Sequence, residues 1–120
     1  MARVVHFEIT ADDPERAADF YGKVFGWTTS DMGAEYGGYR IFNVGETGIA
    51  GLMTLPNDSA QPHWQPYVAV GDVDAATTKA QEVGGSTLVE PMDVPKVGRI
   101  AVLRDPQGAT FGIIKPDPAS

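Results

Sequence analysis

Val4 to Trp27 reads VVHFEITADDPERAADFYGKVFGW, and the order of patterns in this stretch decides the fold. Val5, Phe7 and Ile9 alternate with His6 and Glu8, the period of a strand with one apolar face. Asp12-Asp13-Pro14 then supplies a capping carboxylate and a proline at the first helical position, with Glu15 in the first turn. Ala17, Ala18, Phe20, Tyr21, Val24 and Phe25 recur at helical spacing until Gly26 stops them. The stretch predicts a strand, a tight corner and an amphipathic helix. The apolar face of that helix needs a sheet to cover.

The pattern is written a second time. Gln65 to Val70 alternates like the first strand, Gly71-Asp72-Val73-Asp74 turns it, Ala75 to Val83 is helical, and Gly84-Gly85 ends the helix. Asp13 falls on Asp72, Ile9 on Val68, Gly26 on Gly85 and Arg40 on Arg99, a constant offset of 59 residues (72 − 13). Two copies at half-chain spacing indicate an internal duplication rather than a solenoid, which needs more repeats.

Outward from these anchors, Thr28 to Met32, Tyr39 to Val44 and Ile49 to Leu55 read as strands, with Gly33 to Gly38 a loop and Gly45-Glu46-Thr47-Gly48 a turn. In the second copy Ser86 to Glu90, Arg99 to Leu103 and Ala109 to Ile114 are strands, and Asp105-Pro106-Gln107-Gly108 is a turn. Pro116 to Ser120 is a frayed tail. The expected fold class is α+β: two tandem βαβββ modules with pseudo-two-fold symmetry, forming a cup-shaped mixed sheet with helices outside. Each helix is expected to cross from its strand to a neighbouring strand. The chain reads as a single domain over 1–120, with module 1 at about 3–55, a polar linker at 56–62 and module 2 at about 63–115. Alternation sends Val5, Phe7, Ile9, Val68, Val70, Phe111 and Ile113 under the helices. It sends His6, Glu8, Gly51, Met53, Gln65, Tyr67, Thr110 and Gly112 into the cup.

Composition narrows the function. A chain of 120 residues, 42 % apolar and 21 % charged, is ordinary for one globular domain. Zero cysteines exclude disulfides, thiolate metal sites and a cysteine nucleophile. A formal charge of −7, with nine basic residues scattered singly, argues against nucleic acid. There is no run of eighteen apolar residues and no signal-type start, so no membrane partner and a cytoplasmic location are expected.

The pattern resembles the vicinal oxygen chelate proteins, which include glyoxalase I, bleomycin-resistance proteins and extradiol dioxygenases. The residues that carry the resemblance are His6-Phe7-Glu8-Ile9, Asp13-Pro14-Glu15-Arg16, and Phe20-Tyr21 with Phe25-Gly26-Trp27. In the second half they are Tyr67 to Val70, Asp72-Val73-Asp74, Gly84-Gly85 and Asp105-Pro106-Gln107-Gly108. The resemblance covers about Arg3 to Lys115. It implies four metal-ligand positions, which fall here on His6, Gly51, Gln65 and Gly112. Glycine offers no donor, and His6 with Gln65 leaves a catalytic transition metal short of its usual three protein ligands. A divalent metal, with His6 as its residual ligand and Glu8 or His63 moving in, is therefore disfavoured, and no other cofactor is implied.

The expected function is metal-independent binding or sequestration of a small organic compound in a cleft between the modules. Its candidate ligand-binding residues are His6, Glu8, Arg40, Phe42, Gly51, Met53, Trp64, Gln65, Tyr67, Arg99 and Gly112. One alternative is a glyoxalase-type lyase or isomerase, or a dioxygenase-like metalloenzyme, using His6 and Glu8. Another is a non-catalytic interaction domain. Structural readings stand beside each choice. His6 can be a hydrogen-bonded sheet-edge histidine, and Glu8 can pair with Arg40 or Arg99. The two arginines can be an inherited structural pairing, Trp64 and Tyr67 core filling, and the two glycines sites of close approach. The resemblance further implies a homodimer.

Overall fold

A computed structural model describes residues 2–31, 39–54, 61–95 and 97–117. The expected strands over 28–32 and 49–55, the loop 33–38, the linker 56–62 and the tail 116–120 therefore lie partly or wholly outside the described residues. The chain divides into two compact units. One is His6–Gln65, and the other joins Met1–Val5 to Pro66–Ser120. Among the described residues no helix is long and apolar enough to cross a membrane.

In the unit His6–Gln65, strand β1 (Val4–Ala11, here from His6 onward) leads into helix α1 (Pro14–Phe25), then β2 (Thr28–Asp31), β3 (Arg40–Val44) and β4 (Thr47–Thr54). Asp13 is the expected cap: its backbone is extended, and Oδ1 accepts the Arg16 amide at 3.2 Å. Pro14 sits at the first turn, and Gly26 closes the helix in the left-handed region (φ 77°) with its N–H on the Gly22 carbonyl. The sheet order is β2-β3-β4-β1, antiparallel except for the parallel β1–β4 pairing. The helix thus delivers the chain to the far edge rather than to a strand beside β1, and a meander returns it. A parallel partner needs a long crossover, and here α1 plus the β2–β3 excursion supplies it.

The second unit repeats the order: β5 (His63–Ala69, here from Pro66), α2 (Val73–Glu82), β6 (Ser86–Val94), β7 (Gly98–Arg104) and β8 (Thr110–Pro116), arranged β5-β8-β7-β6 with β5–β8 parallel. The Arg3 carbonyl accepts the Ala69 amide at 2.8 Å, which explains why the first residues of the chain belong here. α2 begins two residues before the expected Ala75, because the Asp72 carboxylate caps the Ala75 amide at 3.0 Å and Val73 drives into the core. β6 runs four residues past the expected Glu90, through Pro91, with register shifts along its pairing.

Each helix covers one sheet face. Under α1 lie Ile9, Ala11, Phe42, Ala50 and Leu52, packed by Phe7, Ala17, Ala18, Tyr21, Trp27 and Ile49. Under α2 lie Val73, Ala101, Leu103 and Ile113, packed by Val70, Ala76, Ala80 and Phe111. Val5, expected under a helix, is instead exposed. The α2 unit has a second apolar cluster of Tyr67, Ile100 and Ile114, with Val94 and Val97 against it.

Candidate functional site

Strand pairing fixes which residues share a face. In the first unit Glu8 lies opposite Gly51 on β1–β4, and Ile41 lies opposite Gly51 on β3–β4, so these three share the face that α1 leaves open. Alternation adds His6 and Met53 to that face. Glu8 is buried, with 5 % of its surface exposed. Its Oε2 accepts the Tyr39 hydroxyl at 3.1 Å, in the buried interior. Tyr39 immediately precedes β3, thirty-one residues from Glu8, and no pattern in the sequence marks it as part of the site. The carboxylate and phenol thus form a buried polar pair on a sheet face with no helix.

His6 is half-buried, and burial holds its imidazole below the usual histidine pKa. Gln65 is buried at the start of β5. In the other unit Tyr67 is opposite Gly112 on β5–β8 and is almost fully buried.

The two glycines do not leave open room. A side chain on Gly51 would run into the Tyr39 hydroxyl, and one on Gly112 would run into the Tyr67 ring. Close approach of an aromatic side chain is what each glycine permits. Of the four positions implied for a metal, only His6 and Gln65 carry a donor, and tyrosines fill the space beside the other two. Among the described residues no three His, Asp or Glu side chains stand together as a metal requires. His6 and Gln65 by themselves are fewer than the three protein ligands that a catalytic transition metal usually takes.

Four expected site residues lie on the helix-covered faces instead. Phe42 is fully buried beneath α1, opposite Ala50 and edge-on to Tyr21 at 5.9 Å. Arg40, two residues earlier and so on the same face, reaches Glu15 of α1 at 3.5 Å. Arg99 holds Asp74 of α2 with two hydrogen bonds, at 2.8 and 2.9 Å, and Asp93 at 3.2 Å. Those carboxylates raise the guanidinium pKa, and the Arg99 hydrogen bonds hold the Asp74 carboxyl below the usual range. Glu15 and Asp74 stand at the same 59-residue offset as the two arginines. The duplicated arginines are therefore duplicated helix-to-sheet ties. Trp64 joins the aromatic cluster beside α1, donating its Nε1–H to the Tyr21 hydroxyl at 3.0 Å. Strand parity decides all four placements, and parity depends on a register that the sequence alone does not reveal.

Comparison with known proteins completes the picture. The family model of the Glyoxalase/Bleomycin resistance protein/Dioxygenase superfamily matches residues 3–113. A Mycobacterium tuberculosis protein named "Putative glyoxylase CFP32" is 44 % identical over 112 residues, 92 % of this chain and 43 % of its own length. The "Anthracycline biosynthesis protein DnrV" of Streptomyces peucetius is 38 % identical over 109 residues, 90 % of this chain and 39 % of its own length. The chain thus spans about two-fifths of the curated relatives it matches. Among solved structures, methylmalonyl-CoA epimerase from M. tuberculosis superposes with a TM-score of 0.67 at 19 % identity, covering 96 % of this chain and 88 % of that one. The hypothetical protein BH1468 from Bacillus halodurans C-125 also gives 0.67, at 13 % identity, covering 99 % and 97 %. At such identities the likeness is one of fold.

Proposed function

The chain belongs to the glyoxalase/bleomycin resistance protein/dioxygenase superfamily, and from that premise we propose that it binds a small, partly aromatic organic molecule without a metal ion. The ligand lies on the face that carries His6, Glu8, Gly51, Met53 and Gln65. One observation carries the reading: the buried Glu8–Tyr39 pair, a carboxylate and a phenol on a face with no helix to serve. Burying such groups costs free energy, and proteins retain them chiefly where they orient something. Tyr39, packed against Gly51, acts as an aromatic wall, and His6 and Gln65 are polar contacts.

The test is a melting-temperature screen of a small-molecule library in the presence of a chelator, alongside metal analysis of the dialysed protein. A ligand that raises the melting temperature in chelator, and loses affinity in Glu8→Leu, supports the reading. One retained equivalent of nickel, zinc, iron or manganese that disappears in His6→Ala sinks it.

The name of the mycobacterial relative favours a second reading, a glyoxalase-type lyase or isomerase with Glu8 moving the proton. Turnover that is abolished by Glu8→Gln distinguishes it from binding alone. Light scattering of the purified chain tests the further proposal that it is a homodimer.

A further inference from the structure

Beside the first half of α1 runs an open groove of about 400 Å³, lined by Thr10, Arg16, Phe20, Tyr21, His63 and Trp64 among others. It lies wholly within the unit His6–Gln65. Its lining does not include the Glu8–Tyr39 pair. Its size suits a small organic molecule.

The Trp64 indole is held in three ways. It stacks on Phe7 with ring centres 5.1 Å apart and planes 5° from parallel, it meets Tyr21 edge-on at 5.6 Å, and its Nε1–H is bonded to the Tyr21 hydroxyl at 3.0 Å. Even so, 48 % of its surface is exposed. A large ring already fixed in place but half uncovered loses little entropy when a second ring stacks on it. Phe20, also exposed, adds apolar surface in the same groove.

The polar groups select the rest of the ligand. Nδ1 of His63 is 2.6 Å from the Gln61 carbonyl oxygen, which can only accept, so the hydrogen-bond network assigns the proton to Nδ1 and leaves the lone pair on Nε2. Arg16 joins none of the described ion pairs, so its guanidinium is available to donate. Asp12 and Asp13 in the same lining oppose a carboxylate or phosphate, which favours an uncharged hydroxyl.

We infer that this groove is a second binding site, one that takes a planar aromatic compound bearing a hydroxyl group. The ring stacks on Trp64, and the hydroxyl sits between the acceptor of His63 and the donors of Arg16. The site stands independently of the Glu8 face.

Titration of the full chain with 2-naphthol, followed by amide and indole NMR signals, tests it. The expected result is saturable movement of the Trp64 indole and of the Arg16 and His63 amides, with Glu8, Gly51 and Gly112 unmoved. Decahydro-2-naphthol, which keeps the hydroxyl but has no flat ring, should give no saturable shift. Trp64→Leu should weaken binding about tenfold, the loss of one stacking contact. Because that variant also disturbs the aromatic cluster, Arg16→Ala serves as a second, expected to weaken binding severalfold at an unchanged melting temperature. Movement centred on Glu8 and Gly51, equal response to the saturated alcohol, no saturable shift up to the solubility limit, or full affinity in both variants each overturns the proposal.

Discussion

The ring of Tyr67 fills the space that a side chain on Gly112, its partner across the parallel β5–β8 pairing, would need. A Cβ at that position would overlap Cδ2 and Cε2 of that ring and come within 2.8 Å of Cγ. At Gly51 the obstruction begins at the Tyr39 hydroxyl, the far end of its side chain. Tyr39 can swing aside at the expense of its hydrogen bond to Glu8, whereas the middle of the Tyr67 ring cannot retreat without moving its backbone. Gly112→Ala is therefore predicted to destabilise by roughly 1–3 kcal/mol, and Gly51→Ala by about 1 kcal/mol. Urea unfolding of the two variants measures the order, and the reverse order would show that the Tyr67 contact is looser than described.

The Glu8–Tyr39 hydrogen bond makes a separate prediction. Tyr39→Phe keeps the ring over Gly51 but removes a donor from a buried carboxylate, which should cost about 1–3 kcal/mol. Glu8→Leu removes the acceptor instead, and combining the two should cost clearly less than the sum, because the phenol then has no acceptor to lose. A double-mutant cycle by chemical denaturation reads the coupling. Additive single effects would mean that the 3.1 Å contact carries no free energy.

Both helices start on an aspartate that accepts an amide three residues on, Asp13 from Arg16 and Asp72 from Ala75. Asp13→Ala and Asp72→Ala should each cost about 1 kcal/mol, and Asp→Asn at either position should recover most of it. Circular dichroism with thermal melting of the four variants is the check. An Asn variant as unstable as its Ala counterpart would point away from capping and towards charge.

The same two caps show why the element order was readable from the chain and the site was not. Caps, stop glycines and alternation are local, so Asp13-Pro14, Gly26 and Asp72 disclose strand–helix–strand order directly, and the 59-residue offset repeats it. Which strand lies beside β1 is not local. Nothing near β1 announces that β4, some forty residues on, pairs with it in parallel, and that pairing sets the opposition of Glu8 and Gly51. Parity within a strand is legible, since Arg40 and Phe42 must share a face. Only register shows that the face belongs to α1. Tyr39 was illegible for the same reason, as its partner is fixed by tertiary packing alone.

His6 supplies a prediction with a defined pH window. Burial lowers its pKa below the ordinary value of 6.5, so near and just below that pH the unfolded chain binds more protons than the folded one. Stability must then rise with pH through the window between the lowered folded value and 6.5. The neutral-histidine contribution is complete above 6.5 and is lost as pH falls through the window to the folded value. Asp74 behaves in the same direction but lower: its depressed pKa contributes stability that is present above the unfolded value of 3.8 and lost as pH falls further. The two windows are therefore separable. Urea midpoints taken from pH 7.5 to pH 5 should fall for the native chain and fall less steeply for His6→Gln, which cannot take up the proton. Equal slopes for the two proteins in that range would show that the imidazole of His6 is solvated in the folded state.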